Sequence, residues 1–434
     1  MRFLKRHSIL AGAILLLLAV ILTMVLTGRS KEEPEPFLRE SPSSAGPDSS
    51  SSAVSAAPAS TFSEETVSAQ EEMRAVWVPF MSLDMTNEEQ GEEAFRNKFS
   101  SIVQQAKQHG MNALIVHVRP FGDALYPSEF APWSHLLTGI QGQDPGYDPL
   151  AIMVELTHAE GLEFHAWMNP LRIQVSQTPE TLSADNPWNT WQGDKEKAGW
   201  VVEYGDGKYY NPAYPEVRSQ IAACAEEIAS SYDVDGIQFD DYFYPTQDAA
   251  FDAAAYETYT ESASQSGEPL SLQEWRAANI NSLLAEVYRR IKSVRKEVQF
   301  GVSPQGNIQN DWNIGADVAA WCSAKGYLDY ICPQLYVNFE NPVLPFGTAA
   351  QTWKRLVTNP DIELYFGLAV YKAGSDADDG TWKNAGDILA RQVSLGRTVE
   401  CDGFFFYSID YLSAGQTQEE IENVMKILEQ DPVS

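Results

Sequence analysis

Two adjacent carboxylic acids, Asp240 and Asp241, follow an apolar run in the segment DGIQFDDYFYP, residues 235–245. Two carboxyl groups this close do not ionise independently, so their pKa values separate and one of them stays protonated near neutrality. A protonated and an ionised carboxyl group side by side can serve as acid and base in one reaction. A solvated turn is the competing interpretation, and the surrounding elements decide between the two.

The pair ends the fourth of eight short apolar runs, and a polar loop and an amphipathic helix follow each run. Continuous apolar runs are typical of parallel strands that are covered by helices. Eight such units over residues 71–430 predict an α/β fold, a (β/α)8 TIM barrel. The runs are RAVWVPF at 74–80, NALIVHV at 112–118, LEFHAWM at 162–168, VDGIQF at 234–239, VQFGVS at 298–303, LDYICP at 328–333, ELYFGLAV at 363–370 and DGFFFYS at 402–408.

Several helices carry local start signals. Asp148-Pro149 predicts an N-cap followed by proline at the first helical position. Ser271 with Glu274, and Thr417 with Glu420, have the spacing of a capping box. Further helices are predicted near 314–325, 345–357 and 384–396.

The loops that follow the strands are longer than the loops that precede them, most clearly after the second, third and fourth runs. Barrel enzymes carry their active sites on these strand-to-helix loops. Side chains alternate along a strand, so Gln238 and Asp240 should both point into the barrel mouth. The same rule groups His117 with Arg119 on the second strand, and His165 with Trp167 and Asn169 on the third.

An acidic, aromatic mouth fits glycoside hydrolysis, in which one carboxylic acid protonates the leaving oxygen and a second carboxylate acts as base or nucleophile. Six aromatic side chains near the mouth would stack on sugar rings: Trp133, Trp167, Tyr242, Tyr244, Tyr336 and Tyr407. Two alternatives stay open, a glycan-binding barrel without catalysis and a metal-dependent deacetylase that uses His117, His165 and Asp240. No ligand spacing such as H-x-x-x-H supports a metal site, so neither a metal nor a cofactor is expected.

The N-terminal segment, residues 1–28, has the pattern of a membrane anchor. Basic residues precede an uncharged run at 9–27 that is long enough to span a bilayer as a helix. The basic end should stay in the cytoplasm, which would place the barrel outside a single-pass membrane anchor. Residues 27–30, TGRS, form a poor cleavage site, which favours the anchor over a cleaved signal peptide and a secreted protein.

Charge and composition exclude some classes of partner and indicate a linker. The chain has 30 Lys+Arg and 60 Asp+Glu, a net charge of −30, which repels nucleic acid. Residues 29–70 are rich in Ser, Pro, Ala and Glu and predict a disordered linker. The four cysteines are scattered and predicted to be small buried side chains rather than disulfides or zinc ligands: Cys224, Cys322, Cys332 and Cys401.

A set of eight motifs occurs in order along the chain: EMRAVW at 72–77, HVRPFGDALYPS at 117–128, FHAWMNPLR at 164–172, YYNPAYPEVR at 209–218, DGIQFDDYFYP at 235–245, GVSPQGN at 301–307, DYICPQLY at 329–336 and FGLAVYKAG at 366–374. The set resembles the glycosyl-hydrolase-like family 10 domain over residues 71–430. The resemblance implies a (β/α)8 barrel that acts on a cell-wall polysaccharide, expected to be peptidoglycan, outside the cytoplasmic membrane. Cell-division or wall-synthesis proteins are the partners it suggests.

The resemblance also carries the family's polar signature to Arg119, Asp123, Asn169, Arg172, Asn211, Asp240, Asp241, Gln334 and Tyr336. Asp240, Asp241 and Asp123 are therefore the predicted catalytic residues. The predicted substrate-binding residues are Arg119, Trp167, Asn169, Arg172, Asn211, Gln238, Tyr242, Gln305, Gln334, Tyr336 and Tyr407. One departure is Ala75, where the family usually has glycine.

The mechanism stays open. The seventh strand ends in Ala369-Val370-Tyr371, without the glutamate that many retaining barrel glycosidases place there. Asp240 or Asp241 could act as the acid, with Asp123 or Asp410 as the second carboxylate. Alternatively, the acetamido group of the substrate could be the nucleophile, as in substrate-assisted glycosidases.

Overall fold

Eight parallel strands close into a barrel in the computed structural model, which describes residues 72–265, 267–383 and 385–430. The barrel strands are β1 (Met73–Val78), β2 (Ala113–Arg119) and β3 (Glu163–Met168), and then, after three strands of an insertion, β7 (Gly236–Phe239), β8 (Gln299–Val302), β9 (Tyr330–Ile331), β10 (Glu363–Ala369) and β11 (Gly403–Tyr407). Neighbours in the chain are neighbours in the barrel, and β11 pairs with β1 to close it, for example at Ala75 and Phe405. The predicted barrel is confirmed.

The helices lie in the connections between strands and after the last strand, β11. In chain order they are α1 (Glu92–Gln108), α2 (His135–Thr138), α3 (Pro149–Ala159), α4 (Pro187–Trp191), α5 (Pro215–Ser231), α6 (Ala253–Ala263), α7 (Leu272–Val294), α8 (Ile308–Asn313), α9 (Val318–Ser323), α10 (Phe346–Leu356), α11 (Ile388–Thr398), α12 (Ile409–Leu412) and α13 (Gln418–Leu428). None of these described helices is long and apolar enough to cross a bilayer. The predicted anchor and linker, residues 1–28 and 29–70, lie outside the described part of the chain.

Alternation along the strands produces two apolar cores. Outward side chains such as Ile237 and Phe239 pack under the helices, whereas inward ones such as Trp77, Tyr330 and Phe405 fill the barrel. The barrel is therefore packed and has no open channel through this layer. Three cysteines are buried as predicted, whereas Cys401 is only half-buried, and all four are free thiols.

All three predicted helix starts are confirmed, but only two of the three predicted side-chain caps form. Asp148 accepts the backbone N–H of Ala151 at 3.1 Å, and Ser271 with Glu274 forms a complete capping box on α7. The predicted box at Thr417 is wrong, because its hydroxyl donates to the carbonyl oxygens of Tyr411 and Ala414 instead. The Glu420 carboxylate accepts the backbone N–H groups of Ile388 and Leu389, so it caps the neighbouring helix α11.

An antiparallel sheet lies in the long connection after β3, and no strand was predicted there. It consists of β4 (Arg172–Val175), β5 (Val201–Tyr204) and β6 (Gly207–Tyr210) in the order β4-β6-β5. The backbone N–H of Arg172 donates to the Asn169 side chain at 2.9 Å, which ties the first residue of this sheet to the end of β3. The insertion thus places a charged side chain at the C-terminal face of the barrel.

Candidate active site

Asp240 lies at the C-terminal end of β7 and is only 3 % exposed. Its Oδ2 accepts the indole N–H of Trp167 at 2.9 Å, and both its oxygens lie within hydrogen-bonding distance of the Asn169 amide, at 3.2 and 3.1 Å. The backbone N–H of Tyr242 also donates to Oδ1 at 3.3 Å. The inward-facing residues of β3 and its end therefore hold this carboxyl group, as their spacing predicted.

Asp241 is half-buried and therefore more accessible than its neighbour. Its Oδ1 accepts the side-chain N–H of Gln334 at 2.8 Å, and the Gln305 side chain also hydrogen-bonds it. Gln305 and Gln334 face each other across the ends of β8 and β9 in a parallel bridge. These two predicted substrate-binding glutamines thus contact an acid of the pair.

Both acids have pKa values above the ordinary range for aspartate. Burial raises the pKa of Asp240 to about 7, and the charge of Asp241 adds to the rise, against the opposing effects of Arg172, Trp167 and the Tyr242 N–H. Burial also raises the pKa of Asp241, while Gln334, Arg172 and Gln305 act to lower it. The pair therefore keeps about one proton near neutrality, which is the state that acid–base chemistry needs.

Arg172 stands beside the pair without forming an ion pair to any carboxylate of the described residues. Its guanidinium carbon lies 4.1 Å from the ring centre of Tyr242 and 5.8 Å from that of Phe121. Tyr242 is 48 % exposed, so this stacked pair borders solvent. A half-buried arginine whose Nε has no hydrogen-bond partner can bind an anionic or carbonyl group of a ligand.

Trp167 supports the pair from the barrel side and is almost fully buried. Its ring stacks on His117, with ring centres 3.7 Å apart and an 8° angle between the planes. Burial lowers the pKa of His117 well below its ordinary value and the charge of Arg172 adds to this, so the histidine is neutral. His117 therefore acts here as an uncharged stacking partner, and Trp167 as a hydrogen-bond donor to Asp240.

Tyrosines line another part of the mouth. The ring centres of Tyr336 and Tyr407 are 5.8 Å apart, and Tyr371 lies 5.9 and 6.0 Å from them. All three are half-buried, which leaves part of each ring open to a ligand. Tyr371 was not predicted, although its position directly after the seventh strand was a signal. Partly exposed rings of this kind present flat apolar faces beside a polar hydroxyl.

Four residues predicted to bind substrate lie elsewhere. Gln238 accepts the Trp77 indole N–H at 2.7 Å inside the barrel and is fully buried. The Asn211 side chain contacts the backbone of Gly199 and Ala213 in the insertion. Tyr244, a predicted sugar platform, is buried under the Arg276 guanidinium and offers no face to solvent. The fourth is Arg119.

Arg119 does not point into the mouth, because the alternation of side chains along β2 is interrupted before it. The pairing of β2 with β3 shifts between His117 and Arg119, so the expected shared face does not form. The Arg119 guanidinium instead donates to the Tyr210 hydroxyl at 3.3 Å and to the Asn169 carbonyl at 3.4 Å. It is fully buried and supports the segment that carries Asn169 from below.

Asp123, the third predicted catalytic residue, is 0 % exposed. Its Oδ2 lies 2.9 Å from the Gln141 amide nitrogen and 3.2 Å from His135 Nδ1. Asp410 is exposed and accepts the Ser82 hydroxyl. Neither carboxylate shares a hydrogen-bond partner with the pair, so the structure brings together Asp240 and Asp241 but not the second carboxylate expected beside them.

A metal-binding cluster was the basis of the deacetylase alternative. Among the described residues no three His, Cys, Asp or Glu side chains are grouped so that they could hold a metal ion. His165 lies 3.0 Å from the Tyr330 hydroxyl inside the barrel, and His117 stacks on Trp167. His117 and Asp240 thus both contact Trp167, whereas His165 contacts Tyr330.

Sequence reasoning missed a third buried acid next to the pair. Asp311 on α8 is fully buried, and its Oδ1 accepts the backbone N–H of Gln305 at 2.8 Å. Burial raises its pKa well above the ordinary value, and the charge of Asp241 adds to the rise. The segment PQGNIQND, residues 304–311, contains no apolar periodicity, and the short helix that buries Asp311 was not separated from the one predicted at 314–325.

Known glycosyl hydrolases have sequences similar to this chain. The chain is 35 % identical over 351 residues to the glycosyl hydrolase YngK of Bacillus subtilis, covering 76 % of this chain and 66 % of that protein. It is 33 % identical over 370 residues to the glycosyl hydrolase DigH of Escherichia coli K12, covering 80 % of this chain and 83 % of that protein.

Solved structures agree with the fold. The glycoside hydrolase domain of PgaB (BpsB) from Bordetella bronchiseptica superposes with a TM-score of 0.56 at 13 % identity, over 83 % of this chain and 100 % of that one. An α-L-fucosidase from Paenibacillus thiaminolyticus gives a TM-score of 0.51 at 12 % identity, over 83 % and 49 %. At this identity the likeness concerns the fold alone. The family model described as glycosyl hydrolase-like 10 matches residues 72–384, and the chain belongs to that family.

Proposed function

We propose that this protein is a glycoside hydrolase that cleaves glycosidic bonds in a cell-wall glycan, with peptidoglycan as its substrate. Family membership supports hydrolysis of a glycan. The observation that carries the proposal is the Asp240–Asp241 pair at the C-terminal end of β7, where burial and the charge of Asp241 raise the pKa of Asp240 to about 7 and burial raises the pKa of Asp241. Protonation of the leaving oxygen requires such an acid.

Exposure assigns the roles within the pair. Asp241 is half-buried and can reach a bound sugar, so it is the proposed proton donor. Asp240 is enclosed by Trp167, Asn169 and the Tyr242 N–H, so it is the proposed positioning acid of the pair. Asp241 can donate only when it is protonated, and burial, which raises its pKa, favours that state.

The nucleophile is proposed to come from the substrate. Asp123 is enclosed and Asp410 is bound by Ser82, so neither supports a direct attack beside the pair. Cell-wall glycans carry acetamido groups, and the Asp pair would polarise such a group while it attacks the anomeric carbon of its own sugar. Arg172 on the open side of the pair would bind a carboxylate or carbonyl oxygen of the same substrate.

The location follows from the N-terminal pattern and stays a proposal. A basic start followed by the uncharged run at 9–27 favours an anchor in the cytoplasmic membrane with the barrel outside, next to the wall. Cell-division or wall-synthesis proteins are the proposed protein partners. Residues 29–70 would then be the tether that lets the barrel reach the glycan.

The test is release of new reducing ends from purified peptidoglycan by the wild-type chain and by Asp241→Asn and Asp240→Asn. Loss of a general acid lowers turnover by about 100-fold or more. We expect both variants to lose release while they still bind the glycan in a pull-down. Thermal unfolding that matches that of wild type would show that the two variants fold.

Two outcomes would contradict the proposal. Release that survives in both variants would mean that the acid lies elsewhere. Binding without release by the wild type, with and without stem peptides on the glycan, would favour the binding-barrel alternative.

A further inference from the structure

Asp311 is a fully buried acid that the proposed reaction does not use directly. It lies on α8, a short helix in the connection after β8. Its Oδ1 accepts the Gln305 backbone N–H at 2.8 Å, and its Oδ2 is buried with no hydrogen-bond partner. A buried carboxylate with an unpartnered oxygen costs free energy, so its neutral, protonated form is the one this site accommodates.

The loop that Asp311 holds leads directly to the catalytic pair. Gln305 hydrogen-bonds Asp241 through its side chain and forms the bridge with Gln334, whose amide donates to Asp241 at 2.8 Å. A Cβ at Gly306 would lie 2.6 Å from the Gln334 carbonyl oxygen, so the two loops touch backbone to backbone. The Gly306 carbonyl in turn accepts the Trp353 indole N–H at 3.0 Å.

We propose that Asp311 is a positioning residue for the reaction: as a neutral acid it fixes the Gln305 loop, which holds Asp241 in place for proton donation. This inference rests on the proposed function. Asp311 does not contact substrate, because no part of its side chain reaches the surface. It acts through its hydrogen bond with the Gln305 backbone N–H, and through Gln305 and Gln334, which contact Asp241.

The neutral form matters because a third negative charge beside the pair would disturb its titration. Burial raises the pKa of Asp311 well above the ordinary value, the Gln305 N–H opposes this, and the charge of Asp241 adds to the rise. The titratable groups that face Asp311 in the described chain are Asp241 at the end of β7 and the Cys322 thiol on α9. Burial raises the pKa of that thiol to about 12, so it is uncharged, and Asp241 is the group whose titration Asp311 can affect.

Two substitutions in the full chain separate the roles. Asp311→Asn keeps an oxygen that accepts the Gln305 N–H and mimics the neutral acid, so kcat should stay within about threefold of wild type. Asp311→Ala removes the anchor, and kcat should fall about tenfold or more while KM changes little, since the misplaced group is the proton donor. The kcat–pH profile of Asp311→Asn should superimpose on that of the wild type. A shift of its limb to lower pH would show that Asp311 is charged in the working enzyme, and would overturn the proposal.

Hydrogen exchange gives a readout that does not depend on activity. The Gln305 backbone N–H should exchange about tenfold or more faster in Asp311→Ala than in wild type or Asp311→Asn. The control is Asp317→Ala, which removes the N-cap of α9 and should lower stability without changing Gln305 exchange or kcat. If the wild type releases no reducing ends, the proposed function fails, and Gln305 exchange still tests the anchoring. Unchanged Gln305 protection in Asp311→Ala, or wild-type kcat in that variant, would overturn the inference.

Discussion

At the scale of single residues, the two neighbouring acids differ because their surroundings differ. Asp240 accepts hydrogen bonds from Trp167, Asn169 and a backbone N–H, whereas Asp241 contacts two glutamine side chains and borders the mouth. Donors around Asp240 favour its charged form, yet burial and its neighbour outweigh them and raise its pKa to about 7. The charge of one acid thus controls how readily the other releases a proton.

Removing the charge of Asp241 should lower the pKa of Asp240. The Asp241 charge is the second largest cause of the rise to about 7, so Asp241→Asn removes repulsion that disfavours ionisation. We expect the Asp240 carboxyl group to titrate below about 7 in this variant, as measured by carbon NMR on carboxyl-labelled protein. Asp410→Asn, at an exposed acid bound by Ser82, should leave the Asp240 titration unchanged. An Asp240 pKa that stays near 7 in Asp241→Asn would mean that burial alone produces the rise.

Removing the charge of Arg172 should raise the pKa of Asp240, whereas removing the charge of Asp241 should lower it. Arg172 lowers the pKa of both acids, so in Arg172→Gln both pKa values rise. If turnover requires a protonated acid, the alkaline limb of the kcat–pH profile moves to higher pH in Arg172→Gln. Arg172→Lys is the matched control, because it keeps the charge and loses the planar stack on Tyr242. Its pH profile should resemble that of wild type, and an Arg172→Gln limb that moves to lower pH would contradict the assigned electrostatics.

At the scale of elements, periodicity in the sequence predicted the strands and most helices. It failed where pairing or packing between elements interrupts the regular pattern. The apolar face of α1 and the capping box of α7 follow from spacing along one element, and both are present. The shift between His117 and Arg119 arises from the pairing of β2 with β3, which no spacing within β2 reveals. Glu420 likewise caps α11 rather than its own helix, since tertiary packing brings it there.

The same distinction applies to the site. Trp167, Asn169 and Asp240 meet as alternation along β3 and β7 predicted, because both strands keep a regular register at that level. Asp311 lies on α8 in the connection after β8, and Tyr371 lies just past the end of β10, and the direction of both segments depends on the neighbouring loops. The insertion sheet that carries Arg172 was missed because its strands are only four residues long, so the alternation in RIQV at 172–175 is too short to predict a strand.

The capping box of α7 gives a prediction for stability. The Ser271 hydroxyl accepts the Glu274 backbone N–H, and Glu274 returns a contact to the Ser271 N–H at 3.0 Å. Ser271→Ala should lower the free energy of unfolding by about 1 kcal/mol, measured by urea unfolding. Ser282→Ala, on an exposed position inside the same helix, is the control and should change it by less than about 0.5 kcal/mol. Equal effects of the two substitutions would show that the box does not stabilise the helix.

At the scale of the whole molecule, a closed barrel gathers the ends of consecutive strands at one rim. β3, β7, β8 and β9 are neighbours in the barrel, and their ends supply Asn169, Asp240, Gln305 and Gln334. Residues far apart in the chain thus form one site, and the helices outside need only cover the strands. The barrel could therefore be predicted from the repeated strand–helix pattern. Each contact at the rim depends on the conformation of the loop that carries it, which the pattern does not predict.

The net charge of −30 has a consequence for binding an acidic glycan. Repulsion between like charges acts over the Debye length, which falls from about 30 Å at 0.01 M salt to about 10 Å at 0.1 M. Raising salt over this range should therefore lower KM for peptidoglycan, while KM for a neutral acetamido-sugar oligomer should stay constant. Steady-state release of reducing ends from both substrates measures the difference. A KM for peptidoglycan that rises with salt would instead show that attraction by Arg172 at the mouth outweighs the repulsion of the whole chain, because screening would then remove a favourable contact.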